Sequence, residues 1–421
     1  MSVRLVSRAL QHGRRRGRRR GLGALAGLLV LSAAAAGCSV SGSGATSPHS
    51  EAPVASGTPS PSPTQSQAQI TSNLPSSSDE TVPVSTLVSL KAHQGTFDRV
   101  RVRIGHGKHQ LRGELSPDKT TWTASERLEP GKAYHVRAVA SDADGLPTTD
   151  RTTFHSDDLT LDEQTFPSFE PLGGETVGVG MPVIIKFDVP VTDRAAIERH
   201  LSVETSPHQA GAWHWISDYE VHWRPRHYWQ PGTEVTVNAD INSIPAGNGI
   251  YGQLDRTETF HVGDAIIMRV NVKTHEMKVF ENGQLLRTIP ISAGKPGFIT
   301  RSGIKVIISK APKVQMDAST VGIPKDSPEY YNLTVYWDMR VTYSGEFLHA
   351  APWSATEQGV ANTSHGCVGM TTDNAKWLYN LTHGRGDVVI VHGSDRHMTL
   401  TNGYGDWNMP FKEWKAGSAL H

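Results

Sequence analysis

From about residue 80 onward the chain alternates apolar and polar residues in short runs separated by turn residues. Val100-Arg101-Val102-Arg103-Ile104 and Tyr134-His135-Val136-Arg137-Ala138-Val139 put every second side chain on an apolar face, which predicts half-buried strands. Ser116-Pro117-Asp118, Glu129-Pro130-Gly131 and Asp142-Ala143-Asp144-Gly145 supply the turns between them. The same logic returns at Val183-Ile184-Ile185-Lys186-Phe187 and Val235-Thr236-Val237, with a turn at Pro231-Gly232 and with Thr192-Asp193 capping a short helix through Leu201. Further on, Ala265 to Val270 and Met277-Lys278-Val279-Phe280 read as strands. Asn282-Gly283 before Gln284 to Ile289 predicts a hairpin, because both turn residues tolerate positive φ. Gly294-Lys295-Pro296-Gly297 and Thr300-Arg301-Ser302-Gly303 then turn the chain into the strand Ile304 to Ser309.

These runs divide the chain. Residues 80–158 and 159–263 have the length and strand spacing of two compact Ig-like β-sandwich domains. Residues 264–394 form a β-rich third domain with one short helix over 374–381, and 395–421 are an aromatic extension expected to pack back onto it. The fold class is mostly β. In the second module Trp213, Trp215, Trp223 and Trp229 fall in a short span; such a cluster either stacks on sugars or fills a sandwich core, and the core is the preferred reading.

Residues 1–37 carry eight arginines and no acidic residue and lead into the apolar run Leu22 to Ala36, too short for a confident membrane span and built like a signal peptide. Ala35-Ala36-Gly37-Cys38 resembles a lipobox, which makes Cys38 the expected lipidation site and the outer face of the cell membrane the expected location. Residues 38–79 are Ser-, Pro- and Thr-rich and are expected to be a disordered tether. Without the leader, the 41 basic residues become 33 against 41 acidic ones, an acidic balance that argues against nucleic acid as a partner. The 20 histidines are scattered, without the tight Cys/His pairs of a zinc site, so neither metal nor cofactor is expected.

Candidate chemistry sits at Ser364-His365-Gly366-Cys367-Val368-Gly369-Met370. Only Cys38 and Cys367 are cysteines, so lipidation of the first leaves Cys367 as a lone thiol, either filler or nucleophile. His365 and His349 can supply a base or a positive environment that lowers the thiol pKa. Gly366 leaves room beside the thiol for a carbonyl whose oxyanion would meet main-chain N–H groups. Thr371-Thr372-Asp373 offers caps for the helix that follows, whose dipole would favour a thiolate just ahead of it.

Ser-His-Gly-Cys with a second histidine 18 positions upstream resembles the signature of the L,D-transpeptidase (YkuD-type) family. The resemblance runs from about Ala265 to Trp414 and includes Tyr343-Ser344-Gly345, Ala351-Pro352-Trp353, Asn362-Thr363 and Gly405-Asp406-Trp407-Asn408, which look like the actinobacterial lipoprotein form with tandem Ig-like domains. It implies a cysteine acyltransferase of peptidoglycan. His349 would be the base, oriented by the backbone carbonyl of Ala350; His365, Gly366 and Cys367 would hold the oxyanion. It further implies a hairpin lid over the cleft, with Tyr331 as its substrate-contacting tyrosine, Met316 lining the pocket, and Ser364 and Trp353 at the substrate. Peptidoglycan stem peptides are the expected donor and acceptor, the membrane is the expected partner of the N-terminal lipid, and carbapenem-type β-lactams are the expected inhibitors. Two positions depart from the family pattern: Ala350 replaces a serine found in some relatives, and Gly369 stands where Asn or Arg is usual. Water or a free D-amino acid could resolve the same thioester, giving an L,D-carboxypeptidase or an exchange enzyme. A papain-type peptidase has the opposite Cys-before-His order, and a non-catalytic wall-binding lipoprotein would need no activated thiol.

Overall fold

The computed structural model describes residues 65–77 and 80–420; the leader, Cys38 and the start of the tether lie outside them. The first module is a sandwich of two four-stranded sheets. One holds Gln69–Ser72, Ser89–His93, Thr121–Ala124 and Gly113–Leu115; the other holds Thr81–Val82, Pro147–Ser156, Ala133–Ser141 and Thr96–Ile104. Phe97, Trp122, Tyr134 and Phe154 fill the space between the sheets. The expected tether over 38–79 ends earlier than predicted. Gln69–Ser72 pairs antiparallel with Ser89–His93, because Ala68 and Ile70 alternate with polar neighbours and turn inward onto that core.

The second module packs Pro167–Glu170, Val183–Phe187, Glu220–Pro225 and Gly211–Ser217 against Thr176–Val177, Arg256–Val262, Glu234–Ala239 and Leu201–Ser206. Its helix Arg194–Glu198 is capped by Asp193, whose carboxylate accepts from Ala196 N, and ends before Leu201, which begins a strand. Trp213, Trp215, Trp223 and Trp229 are all buried in this sandwich, with Trp223 stacked on Trp229 at 5.4 Å, so none offers a face to a sugar.

The second module and the third domain share one core. Val306, Val388 and Tyr404 lie in the same buried cluster as Phe169, Val179 and Trp229. The backbones meet directly where Gly180 N donates to Gly386 O at 2.8 Å. At Gly178 a Cβ would lie 2.4 Å from Asp387 N, so only glycine allows that approach. The aromatic tail corrects its expected docking. Asn408 bonds Ile304 of the third domain, but Trp407 Nε1 donates to Gly180 O, Trp414 Nε1 to Ala212 O and Ala419 N to Glu198, all in the second module. Arg224, buried in that module, lies against the rings of Trp407, Phe411 and Trp414; the tail is a strap between two domains, held chiefly by the sandwich.

In the third domain a five-stranded sheet (Gln284–Pro290, Glu276–Glu281, Ile266–Asn271, Val388–His392, Gly303–Val306) faces a four-stranded one (Ser309–Asp317, Asn332–Arg340, Phe347–Ala350, Val368–Met370). The helix Thr372–Leu381 packs on the second sheet and buries Ala375 and Leu378. This sheet carries the site.

Candidate active site

Phe347–Ala350 runs between Asn332–Arg340 and the parallel strand Val368–Met370, with His349 opposite Gly369. Paired residues share a face and faces alternate, so Cys367, two positions before Gly369 and immediately ahead of the strand, is delivered to the side of the sheet that carries His349. Both line a cleft of about 370 Å³ together with Met316, Tyr331, Trp353, Ser364 and His365. Residues separated by up to 51 positions in sequence therefore meet in one cavity, while Ala350 and Gly366 contribute backbone.

The His349 ring is buried, and its Nδ1 donates to Ala350 O at 2.8 Å. That bond uses the Nδ1 proton and leaves the lone pair on Nε2. Burial holds the imidazole pKa below its ordinary value, only partly offset by the Ala350 carbonyl, so the ring is neutral at pH 7. Trp353 stacks on it at 5.9 Å. The missing serine hydroxyl at Ala350 leaves this contact intact, because the backbone oxygen makes it.

The thiol departs from expectation. Burial, with the nearby Asp338 and Glu346 carboxyls, pushes the Cys367 pKa up to about 12, against opposing contributions from the Phe347 N–H and the Lys305 ammonium. The S–H lies 3.8 Å from Gly345 O. Neither histidine is among the groups that lower the pKa, and Val368–Met370 separates Cys367 in the chain from the first turn of the helix, to which the dipole's effect is confined. The resting site therefore holds a neutral thiol and a neutral imidazole.

Gly366 is required for a different reason from the one expected. A Cβ there would meet nothing nearer than 3.6 Å, but φ is +121°, where side chains are disfavoured. Its N–H is taken by Ser364 Oγ at 3.1 Å, and Ser364 Oγ itself donates to Cys367 O at 2.6 Å. Of the three N–H groups expected to hold an oxyanion, that of Gly366 is thus already engaged, with Ser364 holding the turn. Thr300 Oγ1 donates to Gly366 O, and Asn362 ties the preceding segment to Ala293 N and Val272 O.

Sequence reasoning missed four charged residues here. Lys305 is 1% exposed and donates to the buried Glu346, which also accepts from Arg301 at 2.7 Å. Burial lowers the Lys305 pKa, and Glu346 opposes that. Asp338, on the strand next to Phe347–Ala350, is buried, has no partner for Oδ1 among the described residues, and is pushed up to about 7 by burial. Lys305 and Lys310 look alike in sequence, two basic residues in strand-like runs. The alternation at Ile304-Lys305-Val306 puts Lys305 on the face away from its apolar neighbours and so gives no sign that it is buried. The fourth is Glu329, in the segment joining Ser309–Asp317 to Asn332–Arg340. Its Oε2 lies 2.7 Å from His365 Nε2 and 2.6 Å from Lys295 Nζ. Tyr331 packs at 5.0 Å and Phe298 at 4.6 Å from the same His365 ring, and burial pushes the Tyr331 pKa up to about 12. The hairpin thus closes onto His365.

The β-rich domain presents one cysteine and one backbone-oriented histidine in a shared cleft, the arrangement expected of an L,D-transpeptidase. Residues 265–391 match the L,D-transpeptidase catalytic domain (YkuD), and residues 79–245 match the bacterial Ig domain. L,D-transpeptidase 2 of Mycobacterium tuberculosis (strain CDC 1551 / Oshkosh) is 37% identical over 339 residues, 80% of this chain and 82% of that one. L,D-transpeptidase 5 of strain ATCC 25618 / H37Rv is 32% identical, covering 84% and 77%. The solved LD transpeptidase LdtMt1 in complex with imipenem is 38% identical over 55% of this chain and 99% of that one, with a TM-score of 0.48. The chain belongs to the L,D-transpeptidase family and is an enzyme of that class.

Proposed function

We propose that the protein forms 3–3 cross-links between peptidoglycan stems through a thioester on Cys367. The observation that carries this reading is His349, neutral and fixed by Ala350 O with Nε2 free, in the same cleft as the thiol. Because the free thiol is held protonated, proton transfer must accompany attack: His349 Nε2 takes the proton as sulfur adds to the carbonyl of the L-centred third residue of a tetrapeptide donor. The oxyanion is held by backbone N–H groups at His365 and Cys367. As the C–N bond breaks, the imidazolium returns the proton to the leaving terminal D-amino acid. The amine of a second stem then attacks the thioester, loses its proton to His349, and expels the thiol. Tyr331, Met316 and Trp353 would pack on the donor stem, and carbapenem-type β-lactams would acylate the same sulfur. Export, lipid attachment at Cys38 and placement at the outer membrane face complete the proposal, with the Ig-like modules acting as spacer.

Incubation with disaccharide-tetrapeptide and, separately, disaccharide-pentapeptide tests it by mass of protein and products. Loss of one residue from the tetrapeptide with appearance of dimer is expected. Tetrapeptide trimming with no dimer would make the enzyme a carboxypeptidase, and use of the pentapeptide alone would refute the reading. Cys367→Ala should abolish the adduct, and His349→Gln should slow acylation by about 10²–10⁴-fold.

A further inference from the structure

The outer face of the first module carries a row of arginines that the fold does not require. Arg101 on Thr96–Ile104 stands opposite Arg137 on Ala133–Ser141, which stands opposite Arg151 on Pro147–Ser156. All three are exposed, and none has an acidic partner among the described residues. Like charges directly opposite one another on adjacent strands oppose pairing. Arg99, Arg101 and Arg103 lie on an edge strand, where charge guards against edge-to-edge association. That explanation does not reach Arg137, which sits on an interior strand; Arg151 lies on Pro147–Ser156 short of His155 and Ser156, the two residues that Thr81–Val82 covers, so its outer side is open as well. The residues following the leader carry an acidic balance, so the row is a local concentration rather than a share of general basicity.

The row borders a cavity of about 570 Å³ whose lining includes Arg101, Arg103, His106, His135, Arg137 and Arg151. His135 Nδ1 is held by Thr153 Oγ1 at 3.1 Å, and the rings of His106 and His135 lie 5.9 Å apart. Neighbouring strands are about 4.8 Å apart, so the three guanidinium groups present paired N–H donors at short, regular intervals across the sheet. Guanidinium forks bind phosphate and carboxylate oxygens two at a time. Arg99, Val139 and Thr149 flank the row on one side and Arg103, His135 and Thr153 on the other, so Val139 is its one apolar neighbour, less than a surface needs to enter a lipid headgroup layer.

We propose that this face binds a linear anionic polymer, one bearing repeated phosphate or carboxylate groups, lying across the strands over Arg101, Arg137 and Arg151. The site is independent of the catalytic cleft and would hold the enzyme along a polymer while the cleft works.

The test uses the protein as processed by an expressing host, with Arg101, Arg137 and Arg151 replaced together by Ser. The control replaces Lys91, Lys119 and Lys412, which removes the same charge elsewhere. Binding to linear polyphosphate and to polygalacturonate is measured at rising salt, beside phosphatidylglycerol–phosphatidylcholine vesicles, and acylation of Cys367 by a carbapenem reports that each variant is folded. An affinity for at least one polymer that falls about tenfold or more in the arginine variant and little in the control supports the proposal, and the polymer preferred names the oxyanion. Equal losses in both variants would reduce the effect to bulk charge and overturn it. Arginine-dependent recruitment to the anionic vesicles with no binding to either polymer would overturn it in favour of a membrane surface.

Discussion

Glu329 Oε2 lies 2.7 Å from His365 Nε2, joining the hairpin over the cleft to the residue two places before Cys367. The same carboxylate meets Lys295, and these two partners hold its pKa below the usual carboxylate range. A carboxylate with a depressed folded pKa contributes its contact above its ordinary pKa and loses it as pH falls through the depressed value. Glu329→Gln should therefore loosen residues 318–331, seen as faster amide exchange there at pH 7, and the wild type should approach the variant's rate only in acid. Unchanged exchange in the variant would show that Tyr331 and Phe298 packing holds the hairpin without the carboxylate.

Cys367, with a pKa pushed up to about 12, should behave as a slow nucleophile toward small alkylating agents. Iodoacetamide modification of the free enzyme should rise about tenfold per pH unit from 7 to 10 without a plateau. A plateau near pH 6 to 7 would mean a resting thiolate–imidazolium pair. Under the proposed mechanism, with His349 taking the proton during attack, carbapenem acylation should depend on pH far less steeply over the same range.

Lys305 is the one cation among the groups that set the Cys367 pKa, and it opposes Asp338 and Glu346. Lys305→Met should raise the thiol pKa further and slow acylation. It also leaves Glu346 buried with Arg301 as its remaining charged partner, so a loss of about 3 kcal/mol in stability is expected. Lys305→Met with Glu346→Gln should recover much of the stability but not the acylation rate, and recovery of both would show that Lys305 acts on folding alone.

Asp338 is pushed up to about 7 by burial. With a folded pKa above the unfolded one, the carboxyl costs nothing in strong acid, and its cost to the fold grows as pH rises from about 4 and is complete above 7. Asp338→Asn should stabilise the protein at pH 8 by about 4 kcal/mol and by nothing near pH 3, read from denaturant midpoints. Removing a negative charge near the sulfur should also lower the thiol pKa in the same variant.

Much was legible without coordinates because it is written locally. The alternation at Val100 to Ile104, the Asn282-Gly283 turn and the Thr371 cap each depend on neighbours in the chain, and the strand Thr96–Ile104, the hairpin Glu276–Glu281 to Gln284–Pro290 and the helix Thr372–Leu381 form there. Ser364-His365-Gly366-Cys367 with His349 pointed to the L,D-transpeptidase family, to which residues 265–391 belong. Composition misled at Gln69–Ser72, where a Ser-rich stretch hides two inward-facing side chains that another strand rewards.

What only the folded chain decided is the electrical state of the site. A thiol's pKa is the sum of burial and of charges brought within a few ångströms by strands distant in sequence. Asp338, Glu346 and Lys305 are ordinary surface-type residues until the two sheets close over them. The tail's attachment has the same origin, since Arg224 and Trp414 are 190 residues apart and meet only after both domains have folded.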